Sequence, residues 1–310
     1  MGVRKKYDLL PEIPYGTRPR ILLVGNGTTL SFSGSTNTDS IIKDEWINSY
    51  NEELPDRKDT GNPHVIWTIP FPLQVVAATN DHVQSCMSKL ACSFNELEIT
   101  EDQKDFILEV LNTRFDSVLT TNYSLEFEKS TISKYTKHKT YSRYKVTQEQ
   151  TTQQKLFGIY QCTKLDDDNQ SLLWHIHGTA LRKQSMIIGQ YYYGKLMSEV
   201  TARANTVNKS YKTANEKKVP FRPLSWIDYF LIGDVYILGL SLDFSETGLW
   251  WLLSLKKRGF PDSKVSFYNP KIDEKMALLF RCYNINTPNL VFSNDYIEYY
   301  KKICKTIEYS

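Results

Sequence analysis

The chain has 310 residues, of which 41% are hydrophobic and 24% are charged, and its net charge is +3. These values predict one globular domain with a full core, and the near-balanced charge argues against direct nucleic-acid binding. The five cysteines form no CxxC pair, which disfavours a zinc site and favours a reducing compartment. No apolar run approaches the roughly 18 residues of a membrane span, and the basic N-terminus lacks the apolar stretch of a signal peptide. We therefore expect a cytoplasmic protein.

Short apolar runs and amphipathic patterns alternate along the chain. Strands are predicted at 20–24, 116–120, 172–177, 235–240 and 264–268, with a further edge strand at 290–292. Helices are predicted at 40–51, 73–90, 100–112, 247–257, 275–280 and 295–309, with a loop at 56–72. This alternation predicts a Rossmann-like α/β fold, a doubly wound parallel sheet with helices on both faces and a small inserted helical or loop module.

Two polar stretches rich in Lys and Tyr interrupt this pattern, at about 129–155 and 191–220. We interpret both as insertions into the core, at about 18–295, of a single domain that spans 1–310. They are either solvated surface loops or docking sites for a partner or a second copy of the chain.

The residues that follow the strands are the candidates for function, because ligands of parallel sheets bind at the carboxyl ends of the strands. The first strand leads into Gly25, Asn26, Gly27 and Thr28, a glycine turn that lets backbone amides approach a phosphate. A dehydrogenase fingerprint would need a third glycine where Leu30 stands. The alternative is a tight turn that binds no ligand.

Thr121 and Asn122 follow the second strand in the segment TTNYS. An asparagine side chain offers a donor and an acceptor, which suits the orientation of a ribose hydroxyl or a water molecule. The alternative is that Asn122 caps a helix at about 125–130.

Alternation along a strand places His175 and His177 on one face of the third run. His177 is expected to end that strand beside Gly178, and a histidine titrates close to neutral pH, which suits a general base. His175 is interpreted as a core histidine, and a metal site is disfavoured because no third ligand is marked.

Gly239, Ser241 and Asp243 close the next strand in the segment GLSLDFSE. Small residues there let a cofactor lie against the backbone. Asp243 either caps the following helix or binds a sugar hydroxyl.

Together, from about position 20 to 270, these segments resemble the sirtuin (Sir2-like) family in their order. The TTNYS and GLSLDFSE forms are most similar to the Sir2-like NAD hydrolases of bacterial anti-phage defence. The resemblance implies that Asn122 and His177 are the catalytic pair. It further implies that NAD is lined by Gly25, Asn26, Gly27, Thr28, Thr121, Gly239, Ser241, Asp243 and Asn269, the last of which ends the strand SFYN.

The chain departs from the deacylases of that family, because it has neither their paired zinc cysteines nor a Pro-Asp-Phe-Arg segment. The expected function is therefore metal-free hydrolysis of NAD, its substrate, to nicotinamide and ADP-ribose or a cyclised form. Such an activity implies control by self-assembly or by a companion sensor protein. The alternatives are a non-catalytic module that binds NAD or ADP-ribose, a protein deacylase, and a structural subunit.

Overall fold

The computed structural model describes residues 10–29, 32, 70–79, 83–131, 143–145, 159, 161–165, 171–242, 244, 246–292 and 294–308. The helix predicted at 40–51, most of the loop predicted at 56–72 and Asp243 lie outside the described residues. No helix of the described ranges is both long enough and apolar enough to cross a membrane.

Within these ranges, one sheet runs through the molecule. Its strands are β1 (Arg20–Val24), β2 (Ser117–Thr120), β3 (Arg143–Lys145), β4 (Gln161–Lys164), β5 (Leu172–His175), β6 (Asp234–Leu238), β7 (Val265–Tyr268) and β8 (Ile285–Asn286). The spatial order is β3-β4-β5-β2-β1-β6-β7-β8. The six strands from β5 to β8 are parallel, whereas β3 and β4 add an antiparallel edge. The predicted α/β class with a parallel sheet is confirmed, and the antiparallel edge is an addition to it.

Helices connect the strands. They are α1 (Phe71–Thr79), α2 (Val83–Glu96), α3 (Glu101–Asn112), α4 (Glu126–Thr131), α5 (Gly189–Glu216), α6 (Trp226–Ile232), α7 (Thr247–Gly259), α8 (Glu274–Cys282) and α9 (Tyr296–Glu308). Short 3-10 turns lie at Asn26–Thr28 and Ala180–Ser185.

Both faces of the central strands are covered. In β1, Ile21 and Leu23 belong to a core that includes side chains of α5, α6 and α7. Leu22 and Val24 point the other way, into a core formed with α3 and α9. A strand that is buried on both faces must be apolar at every position, which explains the continuous run Ile-Leu-Leu-Val. A third, smaller core packs α1 and α2 against the segments that follow β2 and β5.

The stretch predicted as a polar insertion at 191–220 lies for the most part in α5, a helix of 28 residues. The polar composition of this helix has a simple cause. Only one face of α5 is buried, through Tyr193, Leu196, Val200, Ala204 and Val207 at helical spacing. The rest of the helix surface is mostly polar, so the mean composition of the stretch hides the helix.

Other predicted boundaries were wrong. The strand predicted at 172–177 ends at His175, so His177 lies beyond it in a turn. The helix predicted at 73–90 falls within two helices, α1 and α2. Residues 290–292 form no strand, and the parallel edge is instead β8. Val291 is 78% exposed, so its apolar character reflected no burial in the sheet.

A buried lysine fixes α7 against the start of β6. Lys256 Nζ donates to the carbonyl oxygens of Phe230 and Leu231, at 2.9 and 3.0 Å, and to that of Gly233. Three acceptors match the three donors of an ammonium group. Burial acts against the charge and lowers the pKa of Lys256 to about 7. These bonds satisfy carbonyls at the end of α6 that no helical amide can reach.

Candidate active site

The carboxyl ends of four parallel strands meet at one edge of the sheet. Val24 of β1 is in register with Thr120 of β2 and Leu238 of β6, and Thr120 is in register with His175 of β5. The glycine turn, Asn122, His177 and Gly239 follow these strands, so the structure brings the main predicted segments to one edge. Asn269 follows β7, which is the next strand along.

Three glycines at this edge allow two strand ends to touch. The amide of Gly25 donates to Leu238 O at 3.0 Å, and that of Gly27 donates to Gly239 O at 2.7 Å. A Cβ atom on either Gly25 or Gly27 would lie only 2.7 Å from Gly239 O. Gly239 also has a φ of +61°, which favours glycine. Close backbone packing therefore explains these glycines without a ligand.

The turn after β1 is bonded to itself as well. The amide and the hydroxyl of Thr28 both donate to Gly25 O, and Thr29 Oγ1 donates to Asn26 Oδ1 at 2.7 Å. A phosphate would compete with these contacts for the Gly27 and Thr28 amides. Phosphate binding at this turn stays a prediction.

Asn122 is 5% exposed, and its side chain is oriented by a buried glutamate. Its Nδ2 donates to Glu126 Oε1 at 2.7 Å rather than its side chain capping a helix amide. Because a carboxylate only accepts hydrogen bonds, the amide orientation is fixed by its partner. Asn122 Oδ1 is left buried, with no hydrogen-bond partner among the described residues. Asn122 therefore presents an acceptor to any molecule that reaches it.

His175 holds the main chain of the same asparagine. Its Nδ1 lies 2.9 Å from Asn122 O, and its Nε2 lies 3.0 Å from Glu128 Oε1. With Glu128 ionised, both partners are acceptors, so both ring nitrogens donate and the ring carries a positive charge. Burial acts to lower the pKa of His175, but the Glu128 carboxylate and the Asn122 carbonyl raise it above its usual range. This geometry fits the interpretation of His175 as a core histidine.

The turn that carries His177 needs a glycine. Gly178 has a φ of +83°, and a Cβ atom there would lie 2.0 Å from Ser185 O. The amide of Ile187 donates to His177 O at 2.8 Å, which closes the turn. Tyr123 Oη in turn donates to Ile187 O at 2.8 Å. The tyrosine of TTNYS thus links the end of β2 to the turn with His177.

The His177 ring packs between an aromatic ring and a carboxylate. The edge of the ring meets Tyr193, with ring centroids 5.5 Å apart. His177 Nε2 lies 3.4 Å from Glu246 Oε2, and Tyr193 Oη donates to Glu246 Oε1 at 3.4 Å. The side chains of His177 and Glu246 are 7% and 15% exposed. His177 is thus held at the carboxyl edge of the sheet, beside a carboxylate that can accept a hydrogen bond from its ring.

Sequence reasoning missed Glu126, Glu128, Tyr193 and Glu246. Glu126 and Glu128 lie at the start of a short helix, where acidic residues normally face solvent, yet each is only 1% exposed. Glu246 lies within GLSLDFSE, so its motif was noted but its role was not.

The remaining predicted contacts are less central. Ser241 is exposed, and Asn269 Oδ1 accepts from the amide of Lys271 at 2.9 Å, a local turn contact. No group of three or more His, Cys, Asp and Glu side chains in the described part of the chain is arranged to hold a metal ion.

No protein-family model matches the chain, and no curated protein matches it. A functional proposal for this site therefore rests on the sequence motifs and on the geometry described above.

Proposed function

We propose that the protein hydrolyses NAD⁺ at the bond between nicotinamide and ribose, giving nicotinamide and ADP-ribose. The observation that carries this proposal is the pair of polar side chains beyond two neighbouring strands. Asn122 follows β2, with a buried and unpartnered Oδ1, and His177 follows β5 beside Glu246.

The chemistry of the bond fits such a site. Nicotinamide leaves as a neutral molecule from a positively charged ring, so its departure needs no strong acid. The transition state resembles an oxocarbenium ion at the ribose carbon. Water must then add to that carbon and lose a proton. The enzyme therefore needs to orient the ribose or the water and to accept one proton.

The two side chains divide these tasks. Asn122 Oδ1 accepts a hydrogen bond from a ribose hydroxyl or from the attacking water, because this oxygen is without a partner in the described part of the chain while Nδ2 donates to Glu126. His177 accepts the proton that the water loses, directly or through a ribose hydroxyl. A positioned base contributes about 10²- to 10⁴-fold in rate.

An NAD hydrolase has to be kept inactive until it is needed. A protein that removes NAD without restraint would stop its own cell, so we propose that it acts in the cytoplasm as an NAD-depleting effector of anti-phage defence. Self-assembly or a companion sensor protein switches it on. The specific activity should therefore rise with protein concentration or with the partner, whereas equal activity in a dilute monomer would contradict this control.

The experiment is the release of nicotinamide from NAD by the purified full chain, measured by chromatography over a range of protein concentrations. Asn122→Ala should lower the rate by about 100-fold or more while the melting temperature shows that the variant is folded. Asn112→Ala, at an exposed asparagine that ends α3, is the matched control and should leave the rate unchanged. Binding of NAD without release of nicotinamide would identify a non-catalytic NAD-binding module instead, and cleavage only with an acetyl-lysine peptide would identify a deacylase.

A further inference from the structure

We infer that Glu246 is the residue that positions His177, with Tyr193 as its second support. The inference rests on the proposed function and assigns a role to the last residue of GLSLDFSE. Its basis is one carboxylate whose two oxygens are both engaged. Oε2 lies 3.4 Å from His177 Nε2, and Oε1 accepts from Tyr193 Oη at 3.4 Å.

The carboxylate is itself held in place by the fold. Glu246 immediately precedes α7, and its carbonyl oxygen accepts from the amide of Trp250 at 3.0 Å in the first turn of that helix. Tyr193 lies on the buried face of α5. The His177 ring therefore meets a carboxylate anchored on one helix and an aromatic ring anchored on another. Such support keeps a catalytic side chain within the narrow range of orientations that its chemistry needs.

The same carboxylate lies close to the segment that carries Asn122. Burial raises the pKa of Tyr123, and the negative charge of Glu246 raises it further. Tyr123 Oη donates to Ile187 O, so its hydrogen is not directed at Glu246. The negative charge of Glu246 is therefore close enough to raise the pKa of Tyr123, the neighbour of Asn122 in sequence. Glu246 itself contacts the side chains of His177 and Tyr193.

One ring nitrogen has to act as the base. We assign the hydrogen of the neutral ring to Nε2, because this nitrogen lies 3.4 Å from the Glu246 carboxylate, which only accepts hydrogen bonds. Nδ1 then holds the lone pair, and it takes the proton that the attacking water loses. The product of that transfer is an imidazolium, and the negative charge beside it stabilises this form. The electron pair of the broken C–N bond leaves with nicotinamide, the water oxygen bonds to the ribose carbon, and its proton passes to Nδ1.

Kinetics of nicotinamide release by the full chain test this role. Glu246→Ala should lower kcat by about 10- to 100-fold, because a base in the wrong orientation loses much of its contribution. KM for NAD should change less than about 3-fold, since the residue acts through His177 rather than on the substrate. Glu246→Gln keeps an oxygen that can accept from Nε2 but removes the negative charge, so its kcat should lie between those of Glu246→Ala and the wild type. Glu274→Ala, an exposed glutamate at the start of α8, is the matched control.

The same substitution in the His177→Ala variant distinguishes an effect of Glu246 through His177 from a direct effect of Glu246 on NAD. In His177→Ala, the further change Glu246→Ala should cause no additional loss of rate. An additional loss equal to that in the wild type would overturn the inference, as would wild-type kcat in Glu246→Ala alone.

Failure of the proposed function can be told apart from failure of this contact. If the wild type releases no nicotinamide, the proposed function fails, and thermal unfolding still tests the pair. The melting shifts of His177→Ala, Glu246→Ala and the double variant form a cycle. A double variant whose shift is smaller than the sum of the two supports the contact, whereas additive shifts overturn it.

Discussion

Two histidines stand two positions apart, and their surroundings differ in kind. His175 lies among acceptors at 2.9 and 3.0 Å, and its carboxylate partner Glu128 is 1% exposed. His177 lies in a turn beyond the strand, 3.4 Å from Glu246, whose side chain is 15% exposed. Both histidine side chains are 7% exposed, so the two regions differ in the lengths of their contacts and in the burial of the carboxylate partner.

The two regions have different roles in the proposed site. The buried region around His175, Glu126 and Glu128 holds both polar ends of Asn122, its carbonyl and its side-chain amide. The region around His177, with its longer contact and more exposed carboxylate, holds the group that changes protonation during the proposed reaction. Stability should therefore depend most on the first region, and turnover on the second.

The largest expected effect on stability comes from removing a carboxylate of the buried region. Glu128→Ala leaves the His175 imidazolium without its counter-charge, and breaking a buried ion pair in this way costs about 3–5 kcal/mol. Urea unfolding should show the loss. The matched control is Glu101→Ala, at a glutamate whose side chain is 83% exposed, for which a change within about 0.5 kcal/mol is expected. Equal changes in the two variants would remove the distinction between the regions.

A smaller effect is expected at the turn that carries His177. Gly178→Ala forces an unfavourable φ and a contact with Ser185 O, which together should cost about 1–3 kcal/mol. Nicotinamide release should fall as well, because the turn moves His177. Gly194→Ala, in the exposed part of α5 where a methyl group meets nothing, should instead stabilise by about 0.5–1 kcal/mol. Wild-type activity in Gly178→Ala would show that the turn does not set the position of His177.

The smallest effect is a pH dependence confined to the buried region. The folded pKa of His175 is raised above the unfolded value. Its contribution to stability is therefore complete below about pH 6.5 and is lost as the pH rises through the folded pKa. The slope reaches at most about 1.4 kcal/mol per pH unit. Melting temperatures across this range should fall in the wild type and fall less in Glu128→Gln, and equal slopes would contradict the assignment.

Much of the fold could be predicted from local patterns. The strands β1, β2, β6 and β7 could be recognised by their short apolar runs, which arise because both faces of a central parallel strand are covered. Thr100 could be recognised as the N-cap of α3, and its side chain accepts from the amide of Gln103. These features depend on residues near in sequence, so one sequence is enough to find them.

The organisation of the site depends on contacts that one sequence does not display. Glu128 of α4 is buried beside His175 of β5, which lies 47 positions away in the sequence. Glu246 becomes relevant only because the loop after β6 meets the turn after β5. The apolar face of α5 was not recognised because the rest of this helix is polar. The catalytic candidates could be named from their motifs, but their supporting residues required the tertiary structure.

The most direct measurement of the central claim compares NAD binding with NAD cleavage in His177→Ala. We expect this variant to unfold cooperatively and to bind NAD, measured by calorimetry, but to release nicotinamide at least about 100-fold more slowly than the wild type. Release of nicotinamide by His177→Ala at the wild-type rate would contradict the account.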